Sequence, residues 1–99
     1  MTVEMRAIEH GLAISGELDL AAVADFRQFA DRVVDGQHEV VIDIAELDFI
    51  DTSGINAILQ LADTACPNGL VLRSPRSNVM RVLDNLAIQQ IQGVRVETR

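Results

Sequence analysis

The chain has 99 residues, which argues for one domain, and its 48% hydrophobic but only 3% aromatic content predicts one aliphatic core. Its net charge is −7 and all eight basic residues are arginines, which argues against lysine-dependent chemistry (a P-loop, a Schiff base) and against a basic nucleic-acid footprint. No run approaches the ~18 apolar residues of a membrane span, no basic and apolar leader opens the chain, and the lone Cys66 cannot form an internal disulfide. The expectation is a reduced, cytoplasmic protein without membrane insertion.

Val3, Met5 and Ala7 alternate with Glu4 and Arg6, the period of a half-buried strand. Glu9-His10-Gly11 reads as a turn and Leu12 to Ser15 as a second strand, so the chain opens on a hairpin. Gly16-Glu17-Leu18 leaves that strand and Asp19 is placed as a helix N-cap. Val23, Phe26, Ala30, Val33 and Val34 then share one helical stripe, and Gly36 is placed as the helix stop. Phe29 lies off the stripe and is assigned to the core rather than to an exposed contact patch.

Val40 to Ile44 is a near-continuous run rich in β-branched residues, the pattern of a central strand covered on both faces. A short link, Ala45 to Ile50, leads to Asp51-Thr52-Ser53-Gly54, which opens a helix marked by Ile55, Ile58, Leu59 and Ala62 and ending near Cys66, itself taken as a small core or boundary residue. Pro67-Asn68-Gly69 is a turn and Leu70-Val71-Leu72 a short buried strand. Ser74-Pro75 is placed as the next helix start, with Val79, Val82, Leu83 and Leu86 as its stripe. Val94-Arg95-Val96 closes the chain as a strand. The order β-β-α-β-α-β-α-β predicts an α/β fold: a mixed sheet with an N-terminal antiparallel hairpin, parallel crossovers and helices packed on it.

The chemistry concentrates at Asp51 to Gly54. A hydroxyl in the first turn of a helix meets unpaired backbone N–H groups and the positive end of the dipole. A phosphate there is stabilised by the same groups, which makes Ser53 a candidate phosphorylation switch. Asp51, Thr52 and Ser53 also serve as ordinary capping residues, and Gly54 as a point of close backbone approach. Ser53 as a catalytic nucleophile lacks a histidine base, and Asp51 occupies the first glycine position of Gly-x-Ser-x-Gly. His10 and His38 fall in separate predicted turns, so a shared metal site is not expected. An acidic metal pocket of Asp43, Asp48 and Asp51 is also not expected: Asp43 reads as a polar interruption of a strand and the others as loop or cap residues.

Four stretches together resemble STAS domains, in particular the small anti-sigma-factor antagonists of bacteria. These are Gly16-Glu17-Leu18-Asp19, the strand Val40 to Ile44, Leu47-Asp48-Phe49-Ile50-Asp51-Thr52-Ser53-Gly54, and the segment of Arg76, Val79, Arg81, Val82 and Leu83. The resemblance spans nearly the whole chain, 1–99, taken as one STAS domain. It implies a non-enzymatic partner switch without a cofactor. The unmodified protein binds an anti-sigma factor that is also a GHKL-type serine kinase, and a sigma factor is released. The kinase modifies Ser53 and a PP2C-like phosphatase reverses the mark. Asp19, Asp51, Thr52, Ser53, Gly54 and Asn56 map to the docking surface. The alternative within the same resemblance is an unphosphorylated STAS subunit of a larger assembly, such as a lipid-transport ATPase complex. The family commonly carries a further helix after the last strand, and this sequence stops at Arg99, just past that strand.

Overall fold

The computed structural model describes residues 3–65 and 67–98. Five strands form one sheet in chain order: β1 (Val3–Ile8), β2 (Gly11–Leu18), β3 (Val40–Ile50), β4 (Leu70–Arg73) and β5 (Val94–Glu97). β1 and β2 are the expected antiparallel hairpin, and β2 to β5 run parallel. The crossovers carry α1 (Val23–Val33), α2 (Thr52–Ala65) and α3 (Ser77–Asn85), with short 3₁₀ turns at Leu20–Ala22 and Ile88–Gln90.

Each parallel crossover moves one strand further in the same direction. Because such crossovers are right-handed almost without exception, all three helices land on one face of the sheet. Burial follows that geometry. Leu12, Ile14, Val40, Ile42, Ile44, Leu70 and Leu72 join one core cluster with Phe26, Ile58, Val79 and Leu83 from the helices. The residues between them face away. Val41, Asp43 and Ala45 are half-buried, and Ala13 and Val71 are buried but stand outside the core cluster. β3 is therefore covered on one face only, not on both. The apolar run at Val40-Val41-Ile42 imitates a doubly covered strand because Val41 sits beside Val71, its register partner on β4. Further along the open face Asp43 pairs with Arg73 across the strands at 3.2 Å, and Arg95 pairs with Glu39 at 2.9 Å.

Residues 45–50 are strand, not link. The register of β2 against β3 slips twice, once between Ala13 and Ser15 and again between Gly16 and Glu17. Each slip gives β3 one extra residue, so its inward positions pass from Val40, Ile42 and Ile44 to Leu47 and then Ile50. The same slips keep Gly16-Glu17-Leu18 inside β2, and Gly16 takes a φ of 91° there, open to glycine at little cost.

Three helix boundaries differ from the sequence reading. α1 ends at Val33; its C-cap Val34 is extended, and Gly36 lies beyond it in the turn at φ 71°. α3 begins at Ser77, not at Ser74-Pro75. Ser74 is left-handed at φ 62°, and the extended N-cap is Arg76. Its guanidinium is drawn to the end of β3, where it donates to the Ala45 carbonyl and pairs with Glu46 and Asp48. Leu86 is the C-cap of α3 and exposed, and the buried residue after the helix is Ile88. Phe29 packs half-buried against the core, with the Arg32 guanidinium 5.4 Å from its ring centroid. Cys66 lies outside the described residues, as does any packing role for it.

Candidate functional site

Leu18 and Ile50 are register partners at the ends of β2 and β3. The residues that follow them are Asp19 and Asp51, so two acidic side chains leave the sheet side by side. Each caps the segment it starts. Asp19 Oδ1 accepts the N–H of Ala22 at 3.2 Å, at the start of the 3₁₀ turn that leads into α1. Asp51 Oδ1 accepts the N–H of Gly54 at 3.0 Å, and its carbonyl accepts the first helical bond from Ile55. The Asp51 N–H itself donates to the Leu18 carbonyl at 3.4 Å, tying the two strand ends together.

This arrangement consumes two of the four donors that a helix start leaves unpaired, those of Asp51 and Gly54. Among the described residues the N–H groups of Thr52 and Ser53 have no hydrogen-bond partner, at the positive end of α2. Ser53 is partly exposed, and Thr52 and Asn56 are exposed. Asn56 stands three residues after Ser53 and four after Thr52, so all three share one side of the first turns. All six sequence-predicted site residues therefore lie at one end of the sheet, around the ends of β2 and β3 and the first turns of α2.

Gly54 has a steric reason to be glycine. A Cβ there would overlap the Leu18 carbonyl oxygen and stand 2.9 Å from both Leu18 Cγ and Ile50 Cγ1. Alanine in a helix interior normally gains roughly 0.5–1 kcal/mol over glycine, but forcing a methyl into packed surroundings costs about 1–3 kcal/mol. Gly54→Ala is expected to lower stability by about 1–2 kcal/mol in urea unfolding; a stabilised variant would contradict the close approach of α2 to β2. Asp51→Ala should cost about 1 kcal/mol through the lost cap, read by the same measurement.

The acidic residues do not pool into one pocket. Asp43 is paired with Arg73 on the open face, and Asp48 is paired with Arg76, which also holds Glu46 at 3.1 Å. Asn78 Nδ2 further donates to the Asp48 carbonyl at 2.6 Å. The acidic side chains that flank the Ser53 turn are thus the capping pair Asp19 and Asp51, while Asp48 shares Arg76 with Glu46.

Two exposed apolar residues at this end were not singled out from sequence. Leu20 opens the 3₁₀ turn and is 74% exposed, and Phe49 on β3 is 45% exposed. The signal was present in Phe49-Ile50: neighbours on a strand face opposite ways, and Ile50 is buried, so Phe49 faces outward.

A mixed five-stranded sheet with an N-terminal hairpin, its helices on one face and a capped Asp-Thr-Ser-Gly helix start beyond the central strand, defines the STAS architecture. Residues 1–94 match the family model described as Mlab, STAS domain, and the chain belongs to the STAS-domain family. Among solved structures it is similar to the anti-sigma factor antagonist SpoIIAA in its unphosphorylated form, at 20% sequence identity and a TM-score of 0.59, over 99% of this chain and 89% of that one. That likeness is one of fold. No curated protein matches.

Proposed function

We propose that residues 1–99 form one STAS domain acting as an anti-sigma-factor antagonist, a non-enzymatic partner switch controlled by phosphorylation of Ser53. The unmodified protein docks on an anti-sigma factor that is also a GHKL-type serine kinase, in the cytoplasm of a bacterium. The observation that carries this reading is the partly exposed Ser53 in the first turn of α2, with the Thr52 and Ser53 N–H groups open beside it. A kinase transfers the γ-phosphoryl group of ATP to Ser53 Oγ, the hydroxyl proton leaves, and ADP is released. The new anion, of about −1.5 to −2 charges, meets the positive end of α2, so the fold tolerates it. A PP2C-like phosphatase hydrolyses the ester and resets the switch. The docking surface comprises Asp19, Thr52, Ser53 and Asn56, with Asp51 and Gly54 fixing their backbone, and Leu20 and Phe49 adding exposed apolar area.

The test is intact mass after incubation with ATP and a candidate GHKL-type serine kinase from the same organism. A single added phosphoryl group, placed on Ser53 by fragmentation and absent from Ser53→Ala, is the expected result. Modification of Ser53→Ala at the wild-type rate overturns it. The alternative is a STAS subunit docked through the same surface on a larger assembly, such as a lipid-transport ATPase complex, with Ser53 unmodified. Co-purification with a membrane ATPase rather than with a kinase would identify that case.

A further inference from the structure

We propose that His10, Asp35 and His38 form a surface site for a divalent transition-metal ion of the zinc class. The three residues come from two separate turns. His10 lies in the β1–β2 turn, and Asp35 and His38 lie in the segment between α1 and β3. The fold sets these turns side by side: Gly11 is the register partner of Val41, and the His10 carbonyl accepts the Val41 N–H at 2.9 Å. One potential ligand atom from each side chain lies within 4.8 Å of the other two.

The side chains are gathered in advance and the carboxylate is held in place. Asp35 Oδ1 accepts the N–H groups of Gln37 at 2.8 Å and His38 at 3.3 Å, which fixes the carboxylate over its own turn. Asp35 Oδ2 lies 3.0 Å from His38 Nδ1. The two imidazoles stack with centroids 4.0 Å apart and an interplanar angle of 26°, so the fold brings both rings together and one ring turns out of the stack for both nitrogen lone pairs to meet one ion. His10 holds this place with a left-handed φ of 63°.

The donor set fits the ion. Two imidazoles and a carboxylate suit zinc, nickel or copper, whereas calcium and magnesium ask for more oxygen ligands. Zinc–nitrogen and zinc–oxygen bonds of about 2.0–2.1 Å place adjacent ligands of a tetrahedron about 3.3–3.4 Å apart, close to the present 3.0 Å between Oδ2 and Nδ1. Binding exchanges any proton on the ligating nitrogen for the ion and releases that proton to solvent. All three residues are exposed, so the ion has an open path, and the fourth position is left to water. Glu9 Oε1, 3.6 Å from His10 Nε2, adds negative charge at the rim.

This site is at the opposite end of the sheet from Ser53. His10 and His38 precede the starts of β2 and β3, while Ser53 follows their ends. Its occupancy is therefore independent of the phosphorylation proposed above.

The experiment is a titration of untagged protein with zinc chloride, read by calorimetry and by the histidine ring signals in NMR spectra. One ion per chain is expected, with the His10 and His38 rings both shifting and excess magnesium without effect. His10→Ala and His38→Ala should each bind at least about 10–100-fold more weakly, with circular dichroism unchanged because both side chains are exposed. Cys66→Ser should bind as the wild type does. Absence of saturable binding, equal affinity in the histidine variants, or binding lost in Cys66→Ser but kept in His10→Ala overturns the proposal.

Discussion

Phe26→Ala is expected to remove about 3–5 kcal/mol of stability, the largest loss for any single side chain of this small domain. Phe26 is the one fully buried aromatic residue, on the stripe by which α1 meets the sheet and α2. Its neighbours along the α1–α2 groove include Ala30 and Ala57. Short side chains cannot reach into the vacated volume, so the cavity stays open, and an open cavity costs more than the lost transfer free energy alone. A domain of this length has only about 5–15 kcal/mol in total, and each kcal/mol moves Tm by about 4–8 °C. A fall in Tm of about 12 °C or more is therefore the expected calorimetric result. Phe29→Ala should cost less than half as much, because Phe29 is already half in water beneath Arg32. Equal losses for the two would mean that α1 is rotated about its axis.

The contrast between those two phenylalanines was visible in the sequence, because helical periodicity is a local property and α1 obeys it. β3 did not obey its own period. Three inward residues spaced by two, Val40, Ile42 and Ile44, are followed by two spaced by three, Leu47 and Ile50. Only the register against β2, with its two slips, explains the change, and that register is a property of two strands together. The same applies to the face β3 leaves open. Its composition resembles a buried parallel strand, yet the order of strands puts every helix on one side. At Ser74-Pro75 a good local start lost to a distant one: the pull of Glu46, Asp48 and the Ala45 carbonyl on Arg76 sets the N-cap two residues later.

The Ser53 site was legible for the opposite reason. Its cap runs over three residues, from Asp51 Oδ1 to the Gly54 N–H, and its exposure follows from standing in the first turn. What escaped were contributions from other segments: Leu20 beyond the Asp19 cap, Phe49 on the outward side of its strand, and the approach of His10 to His38. The two histidines are separated by a strand and a helix, and nothing in either turn announces the other.

Ser53→Glu is expected to weaken docking on the proposed anti-sigma partner by about 100-fold or more, while Ser53→Ala binds as the wild type does. The unmodified hydroxyl is small and neutral, and in the proposed interface the exposed Leu20 and Phe49 would supply apolar contact. A carboxylate or phosphate at the same position is stabilised within the free protein by the Thr52 and Ser53 N–H groups. In the proposed complex it would lose water, and Arg76 of this chain is already engaged by Asp48 and Glu46. Asp19 and Asp51 add repulsion from the adjoining strand ends. Each such buried and poorly paired anion costs several kcal/mol, and ~2.7 kcal/mol suffices for a hundredfold loss. The switch thus needs no change in the core, and Ser53→Glu should unfold at nearly the wild-type urea concentration. Binding by surface plasmon resonance to the purified kinase separates the outcomes. Equal affinity of Ser53→Glu and wild type would place the interface elsewhere, and loss of binding together with a large drop in the unfolding midpoint would mean that Ser53 supports the helix rather than the contact.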